Sequence, residues 1–305
     1  MGNDLRGLAG HSADSFGDTR DYWWNDDYIA LLARRWGLDR AEKVLDVGCG
    51  VGHWGRVLSR VLPESASILG IDRDTLWIDK ATEWATEAGK GGRFEYRVGP
   101  ADALPFQEGA FDLVTCQTVL MHVSDPAAVF REMVRVVRPG GVILTAEPTN
   151  ILWSLLPSLA LGESVDQSVS MLRFQLICER GKQAVGEGNN LVGESVPRLF
   201  ADAGLEHIEV RMNDRPWSLI PPYDSDFQRA QVEEAFDMAE RNLWIWNEST
   251  TRRYFLAGGG APHDFSAFWD ATLDQTQRWV EALRRKTYSS AGGGLHYLVC
   301  GRRPA

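Results

Sequence analysis

The chain has 305 residues, 44% of them hydrophobic and 24% charged, which excludes disordered, collagen-like and fibrous classes. Its 32 Lys and Arg against 42 Asp and Glu leave a net charge of −10, a sign that repels a phosphate backbone, so nucleic acid is not an expected partner. Four scattered cysteines with no C-x-x-C pair suggest neither a disulfide framework nor a cysteine zinc site, which fits a reducing, cytoplasmic setting.

The polar start, residues 1–18, lacks the apolar segment of a secretory signal. The most apolar stretch elsewhere, 151–161, is too short to span a bilayer and carries Ser154, Pro157 and Ser158, so no integral membrane association is expected. From Lys43 onward, short apolar runs alternate with helical patterns, the signature of βα units on a mostly parallel sheet. Strands are expected at 43–47, 67–72, 93–98, 111–116 and 142–146. Helices are expected at about 53–61, at 75–88, and from the Asp125-Pro126 cap to Pro139-Gly140-Gly141. Beyond 150 the rhythm breaks. Residues 151–193 read as a largely helical insertion, 196–203 as a helix and 205–212 as a sixth strand. Apolar stripes over 227–246 and 265–283 then predict two long amphipathic helices joined through flexible Gly258-Gly259-Gly260, and 295–301 reads as a last strand.

The most specific local feature is Val44-Leu45-Asp46-Val47-Gly48-Cys49-Gly50-Val51-Gly52, a buried strand running into alternating glycines and then a helix. Such a turn brings backbone N–H groups close to a ligand that a Cβ would exclude. Gly50, Gly52 and Gly55 also satisfy G-x-G-x-x-G, which alone admits a dinucleotide. Asp72, closing the second strand, is placed to accept both ribose hydroxyls of an adenosine, and that suits either a nicotinamide dinucleotide or another adenosyl cofactor.

The glycine loop, with Asp46 two residues before its first glycine, resembles motif I of class I S-adenosylmethionine-dependent methyltransferases of the small-molecule, natural-product type. Gly70-Ile71-Asp72, the turn 99–106, Phe111-Asp112-Leu113-Val114 and Val137-Arg138-Pro139-Gly140-Gly141 extend the resemblance in order over most of 40–146. It implies an α/β fold: a doubly wound, seven-stranded Rossmann-like sheet with the last strand antiparallel, plus helical lid insertions. It also implies S-adenosylmethionine as cofactor, held by Asp46, Gly48, Gly50, Gly52 and Asp72. Asp102 would meet the adenine amino group between Ala101 and Ala103, Arg73 and Leu76 would border the adenosine, and Gln117 and His122 would lie beside the methionine end. The chain then divides into an N-terminal helical cover (1–40), a cofactor-binding core (41–150), a helical insertion (151–193), a continuation of the core (194–216), a helical lid or acceptor region (217–290) and a final core strand (291–305).

The remaining residues carry paired readings. Tyr22, Trp23 and Trp24 either cover the cofactor, with Trp23 facing the acceptor, or anchor the N-terminal helix by burial. His122 is a general base or a hydrogen-bonded structural histidine. Glu147, ending the fifth strand, is a proton acceptor or acceptor contact, or else a helix cap or ion-pair partner. Some methyltransferases bind catechols through magnesium, using an acid after the fourth strand and an Asp-Asn pair after the fifth. Cys116-Gln117 and Glu147-Pro148 stand there instead, and the histidines show no ligand spacing, so no metal is expected. Of twelve tryptophans, six lie after residue 150, in the part of the chain beyond the cofactor motifs. Trp153, Trp217 and Tyr223 flank strand ends and are the expected acceptor contacts, against ordinary helix packing as the alternative. The expected reaction is methyl transfer to a small, largely apolar metabolite, an indole or phenol of secondary metabolism or an isoprenoid. A nicotinamide-dependent oxidoreductase and a non-catalytic adenosylmethionine-binding protein remain the rivals, and a homo-oligomer is compatible with the sequence.

Overall fold

The computed structural model describes residues 23–305. In chain order its first half runs α1 (Asp26–Trp36), β1 (Lys43–Val47), α2 (His53–Ser59), β2 (Ser67–Asp72), α3 (Thr75–Glu87), β3 (Phe94–Val98), β4 (Phe111–Gln117), α4 (Pro126–Val136) and β5 (Val137–Thr149). There follow α5 (Leu155–Ala160), α6 (Val165–Ala184), α7 (Val196–Asp202), β6 (Glu206–Met212), α8 (Asp226–Glu240), α9 (Glu248–Ala257), α10 (Phe265–Arg284) and β7 (Leu295–Arg302). The described chain divides into two units, one of residues 23–148, 192–215 and 296–305, the other of 149–191 and 216–295.

The first unit carries the sheet, seven strands in the order β3-β2-β1-β4-β5-β7-β6. β1 lies between β2 and β4 and runs parallel to both, with Val44, Leu45 and Val47 fully buried, as a strand covered on both faces by helices must be. β7 runs antiparallel to β6. The winding reverses between β1 and β4, which opens a crevice at their carboxyl ends, the place where open α/β sheets take ligands. The order of strands and the antiparallel last strand agree with the expected fold. The core under the sheet joins Leu45, Val114, Phe130, Met133, Ile143 and Phe200, each side chain contributing about 2 kcal/mol by burial. One boundary differs from expectation. Arg138 to Gly141, read as a turn ending a helix, is instead a bulge inside β5, because the pairing passes from Phe111↔Val137 directly to Leu113↔Val142.

The second unit is helical. The stripe over 227–246 was expected to be one helix, but α8 ends at Glu240, Asn242 takes φ 48°, and a separate α9 follows, capped by Asn247, whose side chain accepts the Thr250 N–H at 2.9 Å. Trp244 and Trp246 leave the stripe because they are buried with Phe174, Tyr254, Phe255, Phe265 and Trp269 in an aromatic core. Gly258 is not a flexible joint: a Cβ there would fall 1.9 Å from the Ile177 carbonyl oxygen, and one on Gly181 would fall 1.7 Å from that of Tyr254. The two glycines let α6 and α9 cross with their backbones in contact.

Candidate functional site

The crevice is built on the glycine turn. Gly48, Gly50 and Gly52 have φ of 65°, 50° and 79°, a region that favours glycine. At two of them a side chain would also collide: a Cβ on Gly48 would meet Val119 at 2.5 Å, and one on Gly52 would meet the Tyr96 Oη at 2.3 Å. Asp46 is buried. Its Oδ2 accepts the Gly55 N–H at 3.0 Å, which ties β1 to the first turn of α2, while its Oδ1 has no partner. Burial pushes this carboxyl up to about 7, outweighing the Gly55 hydrogen bond.

Asp72 closes β2 half-buried. Its Oδ2 accepts the Gly50 N–H at 2.9 Å and its Oδ1 the Asp74 N–H at 3.0 Å. Each oxygen keeps a second lone pair, so the carboxylate is held in place and still able to accept from two hydroxyls. Arg73 and Leu76 are exposed beside it, with Asp74 capping α3 through the Leu76 N–H. In the turn after β3, Ala101 is half-buried and Asp102 and Ala103 are exposed. That turn is fixed by two residues on α4 that sequence reasoning passed over. Glu132 accepts the Leu104 N–H at 2.8 Å, and Arg135 donates to the carbonyls of Leu104 and Phe106 at 2.8 and 2.7 Å while pairing with Glu132 at 2.6 Å. At i and i+3 on an amphipathic helix they read as an ordinary surface ion pair. Tyr96, likewise missed, sits over Gly52 and Gly70 with its hydroxyl buried and unpartnered.

Gln117 ends β4 buried, and its Nε2 has no partner. Beyond it, a single turn of 3-10 helix, Leu120–His122, carries the half-buried His122, whose backbone N–H donates to the Val119 carbonyl at 2.9 Å. Glu147 is fully buried. Its Oε1 accepts the Val119 and Leu120 N–H groups at 2.9 and 3.0 Å and its Oε2 that of Met121 at 3.3 Å, with the Cys116 thiol at 3.6 Å. Of its two expected roles, the geometry supports the cap: both oxygens accept backbone amides away from solvent. Burial nonetheless pushes the carboxyl up to about 7.

The residues present suit an adenosyl cofactor with an amino-acid tail. The open backbone of the glycine turn and the free lone pairs of Asp72 match a ribose. The orphaned Asp46 Oδ1 and Gln117 Nε2 are an acceptor and a donor, the complement of an ammonium and a carboxylate. Tyr22 lies outside the described residues. Trp23 is buried against His296 at 4.9 Å between ring centroids, and Trp24 against Trp54 at 5.2 Å, so both anchor the start of the unit. Trp153 and Trp217 come together in the helical unit, lining one cavity. Tyr223 is buried in that unit, its hydroxyl donating to the Tyr288 carbonyl at 2.6 Å, and it does not line the cavity. Among the described residues, no group of three or more His, Cys, Asp or Glu is placed to hold a metal ion, and no helix is long and apolar enough to cross a membrane.

A family model described as a methyltransferase domain matches residues 45–145. The chain is 32% identical over 283 residues to the sterol 24-C-methyltransferase of Aspergillus fumigatus, an alignment covering 90% of this chain and 68% of that one. It is 34% identical over 190 residues to a ubiquinone/menaquinone biosynthesis C-methyltransferase of Cronobacter sakazakii, covering 62% of this chain and 71% of that one. Among solved structures, the YcgJ protein of Bacillus subtilis aligns over 92% of this chain and 100% of its own with a TM-score of 0.50 at 18% identity, a likeness of fold.

Proposed function

Because the chain belongs to the class I S-adenosylmethionine-dependent methyltransferases, we propose that its acceptor is a small, largely apolar metabolite, an indole- or phenol-like ring or an isoprenoid, methylated by in-line displacement. Family membership also sets aside the nicotinamide reading of the glycine motif. The observation that carries the acceptor class is the tryptophan-lined cavity of the helical unit, since flat aromatic walls favour a flat apolar ligand. The relatives lean the same way, being named for a sterol and for ubiquinone and menaquinone biosynthesis.

When bound, S-adenosylmethionine supplies an electrophilic methyl group on a sulfonium centre. Asp72 holds the ribose through its free lone pairs, and the glycine turn keeps its backbone against the adenosine. Asp102 takes the adenine amino group on a turn that Glu132 and Arg135 keep in place. Asp46 Oδ1 and Gln117 Nε2 receive the ammonium and carboxylate of the tail. Glu147 positions the turn that presents His122. His122 takes up the proton released by a phenolic acceptor, whereas an electron-rich carbon acceptor needs no base to begin the attack. The test is methyl-labelled S-adenosylmethionine incubated with indoles, phenols and prenyl compounds. Labelled product from one of these classes is expected, and transfer confined to polar amines or carboxylic acids would overturn the acceptor assignment.

A further inference from the structure

The cavity of about 110 Å³ lies wholly within the helical unit, and its walls are not uniformly apolar. Trp153, Trp217 and Tyr288 supply flat surfaces. The Gly292-Gly293-Gly294 run forms one wall: a Cβ on Gly294 would lie 2.4 Å from the Trp217 ring, and one on Gly293 would lie 2.0 Å from Leu156. Into this lining α8 brings Gln231 and Glu234, three residues apart and therefore on one face. α10 brings Trp279, whose ring meets Tyr288 edge-on at 6.1 Å.

Two donors here have nothing to donate to. Gln231 is 8% exposed and its Nε2 is buried without a partner, and so is the Nε1 of Trp279. An unpaired buried N–H costs free energy that an apolar lining would have avoided, and it is recovered when a ligand brings an acceptor. We infer that this cavity binds the oxygen-bearing end of a flat apolar molecule, a ring ketone, quinone or phenol ether, with Gln231 Nε2 and Trp279 Nε1 donating to that oxygen. Burial, with Asp237 adding to it, pushes the Glu234 carboxyl up to about 7, so near neutrality part of the population carries a third O–H donor for the same oxygen. The inference deepens the acceptor assignment and rests on it, by specifying which functional group an apolar acceptor must display.

The experiment is calorimetry of the full chain with 1-tetralone and tetralin, two molecules of one skeleton that differ by a carbonyl. The ketone is expected to bind at least about tenfold tighter, because a site built to donate rejects the analogue that cannot accept. Gln231→Leu, nearly equal in volume, should reduce that preference to about twofold or less while leaving tetralin binding and S-adenosylmethionine binding in place. If Gln231→Leu fails to fold, Trp279→Phe carries the same expectation. Equal affinities in the wild type, or a preference that survives both substitutions, would overturn the inference. So would tighter binding of 1-aminotetralin, which would make an ionised Glu234 the anchor. Failure of the underlying acceptor assignment is distinguishable. There, the oxygen preference and its loss in Gln231→Leu would be seen, yet no apolar compound would be methylated. Conversely, methylation of apolar acceptors with a KM unmoved by Gln231→Leu would overturn the pocket assignment alone.

Discussion

Asp72 fixes the glycine turn through the Gly50 N–H, and on the proposed function the same carboxylate accepts from the ribose. Asp72→Ala should therefore weaken S-adenosylmethionine binding by roughly 100-fold in calorimetry, about 3 kcal/mol for a lost pair of charged hydrogen bonds. Unchanged affinity would remove the ribose assignment. Glu147 is the residue whose role the sequence could not decide. A carboxylate at a strand end looks the same whether it faces a ligand or three backbone amides, and only the path of Val119 to Met121 distinguishes the two. Glu147→Ala should cost about 3 kcal/mol or more in urea unfolding, since it strands three buried donors, and Glu147→Gln should cost less because the amide oxygen still accepts. A variant that lost turnover while keeping full stability would return Glu147 to catalysis. The glycines, by contrast, were legible because positive φ is tied to residue type.

At the scale of single elements, the turn after β3, to which the adenine is assigned under the proposed function, depends on α4. Arg135→Ala should leave β3 paired with β2 and β4 with β1 and β5, but free the carbonyls of Leu104 and Phe106, raising the KM for S-adenosylmethionine several-fold with little change in kcat. A fall in kcat alone would place Arg135 elsewhere in the reaction. The parallel strands were readable because burial on both faces writes them as continuous apolar runs. α9 was not readable, since the tryptophans before it continue the spacing of α8 while packing into a different core. Its close approach to α6 was also hidden, because a helix-crossing glycine and a linker glycine look alike in a string of letters. Gly258→Val should lower the thermal midpoint, with a cost of about 1–3 kcal/mol or more from the forced separation of the two backbones.

For the whole molecule, the buried carboxyls set the response to pH. Asp46, Glu147 and Glu234 are each pushed up to about 7, above the value of about 4 they have in an unfolded chain. The folded protein thus holds these protons more tightly. The stability they confer is full below the unfolded value and is lost as pH rises through about 7. The thermal midpoint should drop by several degrees from about pH 5.5 to 8, and a flat or rising midpoint would mean that these acids ionise at no cost. At this scale the doubly wound, seven-stranded sheet with its antiparallel last strand was legible through the family resemblance, because the motifs that carry it over 40–146 are local patterns in the chain. The polar group recognised in the helical cavity did not follow, because Gln231, Trp279 and the 292–294 run meet only after the chain has folded over a long separation. The position of β7 has a bearing on biosynthesis. It lies between β5 and β6, so during translation β5 keeps an open edge, and β6 has no strand to join, until the ribosome has delivered the whole helical excursion. Stalling or premature release in that interval would leave a sticky sheet border exposed to other nascent chains, which makes slow synthesis of 216–294 the step at which chaperone supply should most affect the yield of active enzyme.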